Sequence, residues 1–211
     1  MLSLRVRDLL VASWVVSRES VARTLPPGLE PAEVDGQQLV SLVCLRYAGG
    51  RLGLLPAPRF SQLSVRVYVR WAEETAVYFL DARVTLPGMA ATLLGAPFRT
   101  ARLRFRRGRA DAPGLGVRMR YEVEGETDPG ELGRHQLGLF DSAGLRGFRV
   151  HRGPCNWRRA VATEPVRADP LLALGFDVSG PAALLYAEEA SFELEARARR
   201  MTSARSSGSS R

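Results

Sequence analysis

Within the segment from Gln62 to Trp71, Gln62, Ser64, Arg66, Tyr68 and Arg70 share one parity, and Val65, Val67, Val69 and Trp71 take the other. A repeat of two residues is that of a β-strand, so the polar set projects from one face and the apolar set from the opposite one. A guanidinium and a phenol two residues apart on such a face can hold a small carboxylate by charge-assisted hydrogen bonds, with the amide of Gln62 as a further contact. If the strand lines a cavity, these side chains form a ligand site. If it belongs to an open, half-buried sheet, the same face is simply solvated, and alternation alone does not choose between the two.

Other chemistries have less to stand on. All 30 basic residues are arginine, so no lysine amine exists for an imine, a pyridoxal phosphate linkage or a P-loop. His135, His151 and Cys155 suggest a metal or a Cys/His nucleophile pair, but His-x-x-x-Cys fixes no ligand geometry, and HExxH and paired CxxC motifs are absent. No Gly-x-Ser-x-Gly elbow is present, and Gly114-Leu115-Gly116 falls at a hairpin tip rather than between a strand and a helix. The acid pairs Glu73-Glu74, Glu122 with Glu124, and Glu188-Glu189 fall in turns or on exposed strand faces. Arg99, Arg102, Arg104, Arg106, Arg107 and Arg109 could track phosphates. Phe105, however, lies on the face opposite Arg104 and Arg106, so no stacking aromatic is interleaved, and a solvated strand face is the plainer reading.

The elements that must carry these residues are mostly strands. Expected strands are Leu9 to Val16, Leu39 to Leu45, Ser64 to Trp71 and Ala76 to Val84, then a hairpin of Arg99 to Arg106 with Val117 to Val123. Leu137 to Phe140, Gly147 to His151, Trp157 to Thr163 and Ala190 to Ala196 complete the set. Short helices are expected after the N-cap Ser17, over Gly88 to Leu94, from Asp128-Pro129 to His135, and at Leu171 to Leu174. Asp35-Gly36 is a hairpin turn signal, and the Gly- and Pro-rich run Arg51 to Arg59 reads as a loop. The pattern fits an antiparallel sheet curled into a barrel with helices outside.

With 211 residues, 45% of them hydrophobic, the chain reads as one domain over residues 1–200 and a disordered tail over 201–211. The formal charge of +8 is also what a GC-rich genome would give through arginine, so it argues only weakly for a polyanionic partner. Two cysteines and no apolar run of spanning length lead us to expect no signal peptide, no membrane span and a reduced, cytoplasmic setting.

Several segments together carry a resemblance: Leu25-Pro26-Pro27-Gly28-Leu29-Glu30, Val65 to Val69, Val77-Tyr78-Phe79-Leu80-Asp81-Ala82, Gly95 to Ala101, and His151 to Trp157. In this order they resemble the domain-of-unknown-function 2071 family, over roughly residues 8 to 197, a family similar to acetoacetate decarboxylase in fold. The resemblance implies a mainly β (α+β) fold: a cone-shaped, largely antiparallel β-barrel with a few short helices packed outside and a cavity within. It makes the polar face of the Ser64 to Trp71 strand a cavity lining. The decarboxylase works through a lysine imine, for which this chain has no lysine. Where family members often carry an acid in an F-x-E-x-x-x-R pattern, this chain has Gln62, and Gly153-Pro154-Cys155-Asn156 departs from the Pro-rich form before Trp157.

The resulting expectation is an internal pocket for a small organic anion, a carboxylate or keto acid. Arg66 supplies charge, Tyr68 a hydroxyl donor, Gln62 an amide, and His151 and Trp157 a rim or wall, with no metal and no cofactor. The alternative is an enzyme acting without covalent catalysis on a small keto or enol acid, Arg66 stabilising a developing enolate. A basic nucleic-acid-binding protein ranks third, a membrane partner is not expected, and self-association into a homo-oligomer stays open.

Overall fold

The computed structural model describes residues 2–86, 98–179, 182–194 and 198–201. The helix expected at Gly88 to Leu94 and residues 202–211 of the expected tail lie outside them. Met201, counted with that tail, donates its backbone N–H to the Leu145 carbonyl at 2.9 Å and packs on the core.

The chain begins with β1 (Leu2–Val15), helix α1 (Arg18–Ala22), β2 (Glu30–Pro31), β3 (Leu39–Leu52), β4 (Leu55–Ala57), β5 (Phe60–Trp71) and β6 (Glu74–Val84). Short strands follow: β7 (Arg99–Thr100), β8 (Arg104–Arg106) and β9 (Arg109–Ala112), then the longer β10 (Val117–Glu126). After them come β11 (Leu137–Asp141), β12 (Leu145–Arg152), β13 (Arg158–Ala162), β14 (Arg167–Ala168), helix α2 (Asp169–Ala173), β15 (Ala183–Leu194) and β16 (Arg199–Arg200). Ser17 caps α1 as expected, its hydroxyl accepting the Ser20 N–H at 3.1 Å.

Seven strands close on themselves in the order β1, β3, β5, β6, β11, β12, β15 and back to β1. All neighbours in this barrel-like ring are antiparallel except β6 and β11. The fold expectation of a mostly β, largely antiparallel architecture with few short helices is therefore met. The ring strands bury both faces. Residues of one parity, among them Leu10, Leu42, Cys44, Leu63, Val65 and Val67, face outward into the main core. The layer that covers them contributes Phe105, Met119, Tyr121 and Ala160 from β8, β10 and β13, together with Val21 of α1 and Leu171 of α2. Residues of the other parity, including Val6, Val11, Val43, Leu45 and Phe192, form a second apolar set that looks into the ring. Cys44 lies in the outward core, where burial pushes its thiol well above the usual range and leaves it inert.

Four local expectations are corrected. Arg51 to Arg59 is not a loop: β3 runs on to Leu52, turns at Gly53, whose φ is +61°, and pairs back as β4. Asp35-Gly36 is a tight turn closed by a Val34–Gln37 bridge, but β2 before it pairs with β5 rather than with β3. Arg99 to Arg106 is not one hairpin arm: β7 pairs with β6, and β8 joins β10 only through β9. The segment from Asp128 to His135 holds a 3₁₀ turn, Gly130–Gly133, instead of an α-helix. Among the described residues no helix is long and apolar enough to cross a membrane.

Candidate binding site

A cavity of about 270 Å³ opens inside the ring. Most of its wall is apolar: Leu9 and Val11 of β1, Val43 and Leu45 of β3, and a group of phenylalanines, Phe79, Phe98, Phe140, Phe148 and Phe192. Gly138 makes room for two of these rings, since a Cβ there would lie 2.8 Å from Phe148 and 3.0 Å from Phe79. The polar wall comes from β5, whose Gln62, Ser64 and Arg66 all line the cavity. Gln62 and Ser64 are 6% and 1% exposed, which excludes the solvated-face reading for this strand. A bulge between Val65 and Arg66 leaves Leu80 of β6 unpaired and sets Arg66 opposite Phe79. Such a bulge re-aims side chains, and Phe79, Leu80, Asp81 and Ala82 all reach the cavity.

Two residues complete the polar wall: Arg152 at the end of β12, and His135 in the connection between the 3₁₀ turn and β11. Arg152 donates from Nη1 to the Gly133 carbonyl at 2.8 Å, and its guanidinium carbon lies 5.4 Å from the Trp157 ring and 5.6 Å from the Phe192 ring. Burial, and after it the charge of Arg66, lowers the Arg152 pKa to about 10, so it stays a cation at neutral pH in a setting that disfavours cations. Among the described residues neither Arg66 nor Arg152 forms an ion pair with a carboxylate. The two acids in the wall have partners of their own: Asp81 accepts from Arg83 Nε at 2.7 Å, and Asp141 accepts from the Gly144 N–H at 3.1 Å.

The side-chain nitrogens that are buried without a hydrogen-bond partner among the described residues are Arg66 Nε, Arg152 Nε and His135 Nε2. All three belong to residues of this one cavity. Buried polar groups normally find partners because an unpaired one costs about 1–3 kcal/mol, more where charge is involved. Three such groups surround one void, two of them on guanidinium groups that form no ion pair with a carboxylate among the described residues. Arg99, the remaining cation of the wall, is exposed.

The residues expected from the sequence divide. Gln62 and Arg66 meet at the cavity; Gln62 Oε1 also accepts from the Tyr47 hydroxyl at 3.4 Å, a phenol that burial holds in its protonated form. Tyr68 shares the parity of Arg66 but is fully buried among Val34, Leu39 and Val77. Its hydroxyl shares a hydrogen bond with Ser41 Oγ at 3.0 Å, which in turn bonds Ser13 Oγ at 2.8 Å, and Tyr68 is not among the residues that line the cavity. Its ring lies 5.0 Å from that of His135. Trp157 is buried beneath Arg152 and does not line the cavity itself. His151 is exposed opposite Glu193 and is not brought to the site: successive strand residues face opposite ways, and Arg152 takes the inward position.

Arg152 is a site residue that sequence reasoning misses, and His135 is one it weighs only for a metal or a Cys/His pair. Arg152 carried a readable signal, since Phe148 and Val150 share its parity and mark the inward face of β12. His135 carried none beyond its type. It stands in a connection, where no period applies. The turn before it is held by a reciprocal pair: the Asp35 N–H donates to Glu131 Oε2 at 3.1 Å, and the Glu131 N–H donates to Asp35 Oδ1 at 3.1 Å.

A strand ring of this kind around a cavity defines an acetoacetate decarboxylase-like fold. Similar solved structures include the enduracididine biosynthesis enzyme MppR complexed with pyruvate, at TM-score 0.62 and 13% identity over 96% of this chain and 91% of that one. An acetoacetate decarboxylase-like enzyme from Sphingomonas wittichii RW1 gives 0.64 and 14% over 96% and 93% of the two chains. Acetoacetate decarboxylase from Legionella pneumophila subsp. pneumophila str. Philadelphia 1 gives 0.65 and 9% over 91% and 84%. At these identities the likeness is one of fold. The chain belongs to the DUF2071 family, described as "Uncharacterized conserved protein", whose model matches residues 3–191. Among curated proteins none matches the sequence at a significant level.

Proposed function

We propose that the cavity binds a small organic acid, a carboxylate or keto acid with an apolar body, through Arg66 and Arg152, with Gln62 as a polar contact. The observation that carries this reading is the pair of guanidinium groups in one cavity without a carboxylate partner among the described residues. A desolvated cation is costly until an opposite charge arrives, so an entering carboxylate gains more here than it would at a surface arginine. The phenylalanine-rich remainder of the wall suits a short alkyl or aryl body. The pyruvate bound by MppR, a protein of similar fold, supports a keto acid over other anions. Any chemistry on such a ligand proceeds without a lysine imine, because the chain contains no lysine.

The test is thermal shift and native mass spectrometry of the purified protein against a panel of carboxylates and keto acids, pyruvate and phenylpyruvate included. The expected result is stabilisation by at least one keto acid, lost in Arg66→Ala and in Arg152→Ala. Shifts that are unchanged in both variants would overturn the assignment. A reading based on nucleic acid predicts instead steeply salt-dependent binding to oligonucleotides that weakens when Arg102, Arg104 and Arg106 are neutralised.

A further inference from the structure

We infer that His135 is a proton carrier at this site, its Nε2 removing a proton from the carbon next to the carbonyl of a keto acid held by Arg66 and Arg152. The inference rests on the binding reading above and adds a reaction to it: interconversion of keto and enol forms without a covalent intermediate.

The geometry of the ring carries it. His135 lines the cavity, and its Nε2 is shielded from bulk water with no hydrogen-bond partner among the described residues. Arg66 and Arg152 line the same cavity, and their positive charge favours a lone pair over an N–H at this nitrogen, the arrangement a general base requires. The Tyr68 ring, 5.0 Å away, packs against the imidazole, and the Asp35–Glu131 pair fixes the turn that leads to it.

The charges around the ring act in the same direction. Burial first, and then Arg66, lower the His135 pKa below 6.5; Arg152 adds to this, while the Thr75 carbonyl and Glu131 work against it. The neutral base thus predominates at pH 7. The other proton-bearing groups of the wall are less suited: Asp81 is paired with Arg83, Asp141 is held by the Gly144 N–H, and burial keeps Tyr47 protonated.

The step balances within the site. The C–H electron pair becomes the new C=C bond, the carbonyl π pair moves onto oxygen, and the proton rests on Nε2 as the imidazolium forms. The enolate oxygen draws on the guanidinium N–H donors, whose interaction with a full negative charge exceeds that with the ground-state carbonyl. Return of the proton to carbon regenerates the keto acid, and its delivery to oxygen gives the enol. No oxidant, reductant or second substrate is consumed.

The experiment follows exchange of the C3 protons of pyruvate and phenylpyruvate for deuterium in D₂O by ¹H NMR, alongside the thermal shift produced by each acid. The wild-type protein should accelerate exchange above buffer. His135→Gln should lose at least about 100-fold of that acceleration while keeping the ligand-induced shift, since general-base catalysis is worth about 10²- to 10⁴-fold. His135→Ala with added imidazole should recover part of the rate, which separates loss of a base from loss of structure. Binding without accelerated exchange, or exchange unchanged in His135→Gln, overturns the proton-carrier role and leaves the binding reading standing. Absence of any ligand-induced shift overturns both.

Discussion

The Arg152 guanidinium is stationed over the Trp157 ring at 5.4 Å, with the Gly133 carbonyl 2.8 Å from Nη1. Trp157 thus shapes the site from behind, by setting where a cation stands. Replacing the indole by an aliphatic side chain removes a cation–π contact worth about 1 kcal/mol. Trp157→Leu should therefore weaken keto acid binding about fivefold by titration calorimetry without abolishing it, whereas Arg152→Ala should abolish it. Equal affinity in Trp157→Leu would mean that the Gly133 carbonyl and Phe192 suffice to hold Arg152.

Tyr68 and Arg66 sit two residues apart on the same face of β5, yet their tasks differ. The Tyr68 hydroxyl is bound by Ser41, and Ser41 retains Ser13 when the phenol is removed. Tyr68→Phe should lower stability by about 1 kcal/mol in urea denaturation, the usual net value of one such bond. Ligand affinity should change little. A tenfold loss of affinity would return Tyr68 to the ligand's direct contacts.

The contrast shows what alternation can and cannot deliver. The period of two on β5 makes Gln62, Arg66 and Tyr68 co-facial, and the structure keeps them so. It does not reveal that Ser41, 27 residues away, occupies the Tyr68 hydroxyl, because strand register is a long-range property. On β12 a single step separates His151, which is outside, from Arg152, which is inside; the apolar parity of Phe148 and Val150 decides the matter once the ring is known to be closed. His135 lies between elements, where position depends on the turn rather than on any period. The same limit applies to Arg51 to Arg59, where Gly and Pro suggest a loop and cross-strand pairing makes a hairpin.

The arginine-rich segment after β7 bears on stability. Phe105 is buried in the main core, Arg104 and Arg106 are exposed, and Arg109 and Arg120 both bond the buried carboxylate of Asp111, the latter at 2.8 Å. Burial alone would raise the Asp111 pKa; hydrogen bonds and charge from the two arginines outweigh it and hold the group below its ordinary 3.8. A depressed carboxylate contributes stability above pH 3.8 that is lost as the pH falls through the folded-state value. Asp111→Asn should cost about 2 kcal/mol at pH 7, less than a fully buried pair because Arg109 is half exposed. The penalty should shrink in acid, and a pH-independent penalty in chemical denaturation would contradict this account.

His135 makes stability depend on pH in the same direction, in a higher pH window. Its folded-state pKa lies below 6.5 because burial, Arg66 and Arg152 outweigh the Thr75 carbonyl and Glu131. Between that lowered value and 6.5 the unfolded chain binds the proton and the folded chain does not, so stability rises with pH across this window and is level above it. Cooling of the melting temperature between pH 7 and pH 5 should therefore be smaller in His135→Gln than in the wild type. A bound carboxylate should shrink the wild-type difference too, because a negative charge beside Arg66 and Arg152 offsets the field that lowers the imidazole pKa. The measurement is a pH series of thermal unfolding with and without pyruvate. A wild-type slope unaffected by both the substitution and the ligand would detach His135 from the anion site.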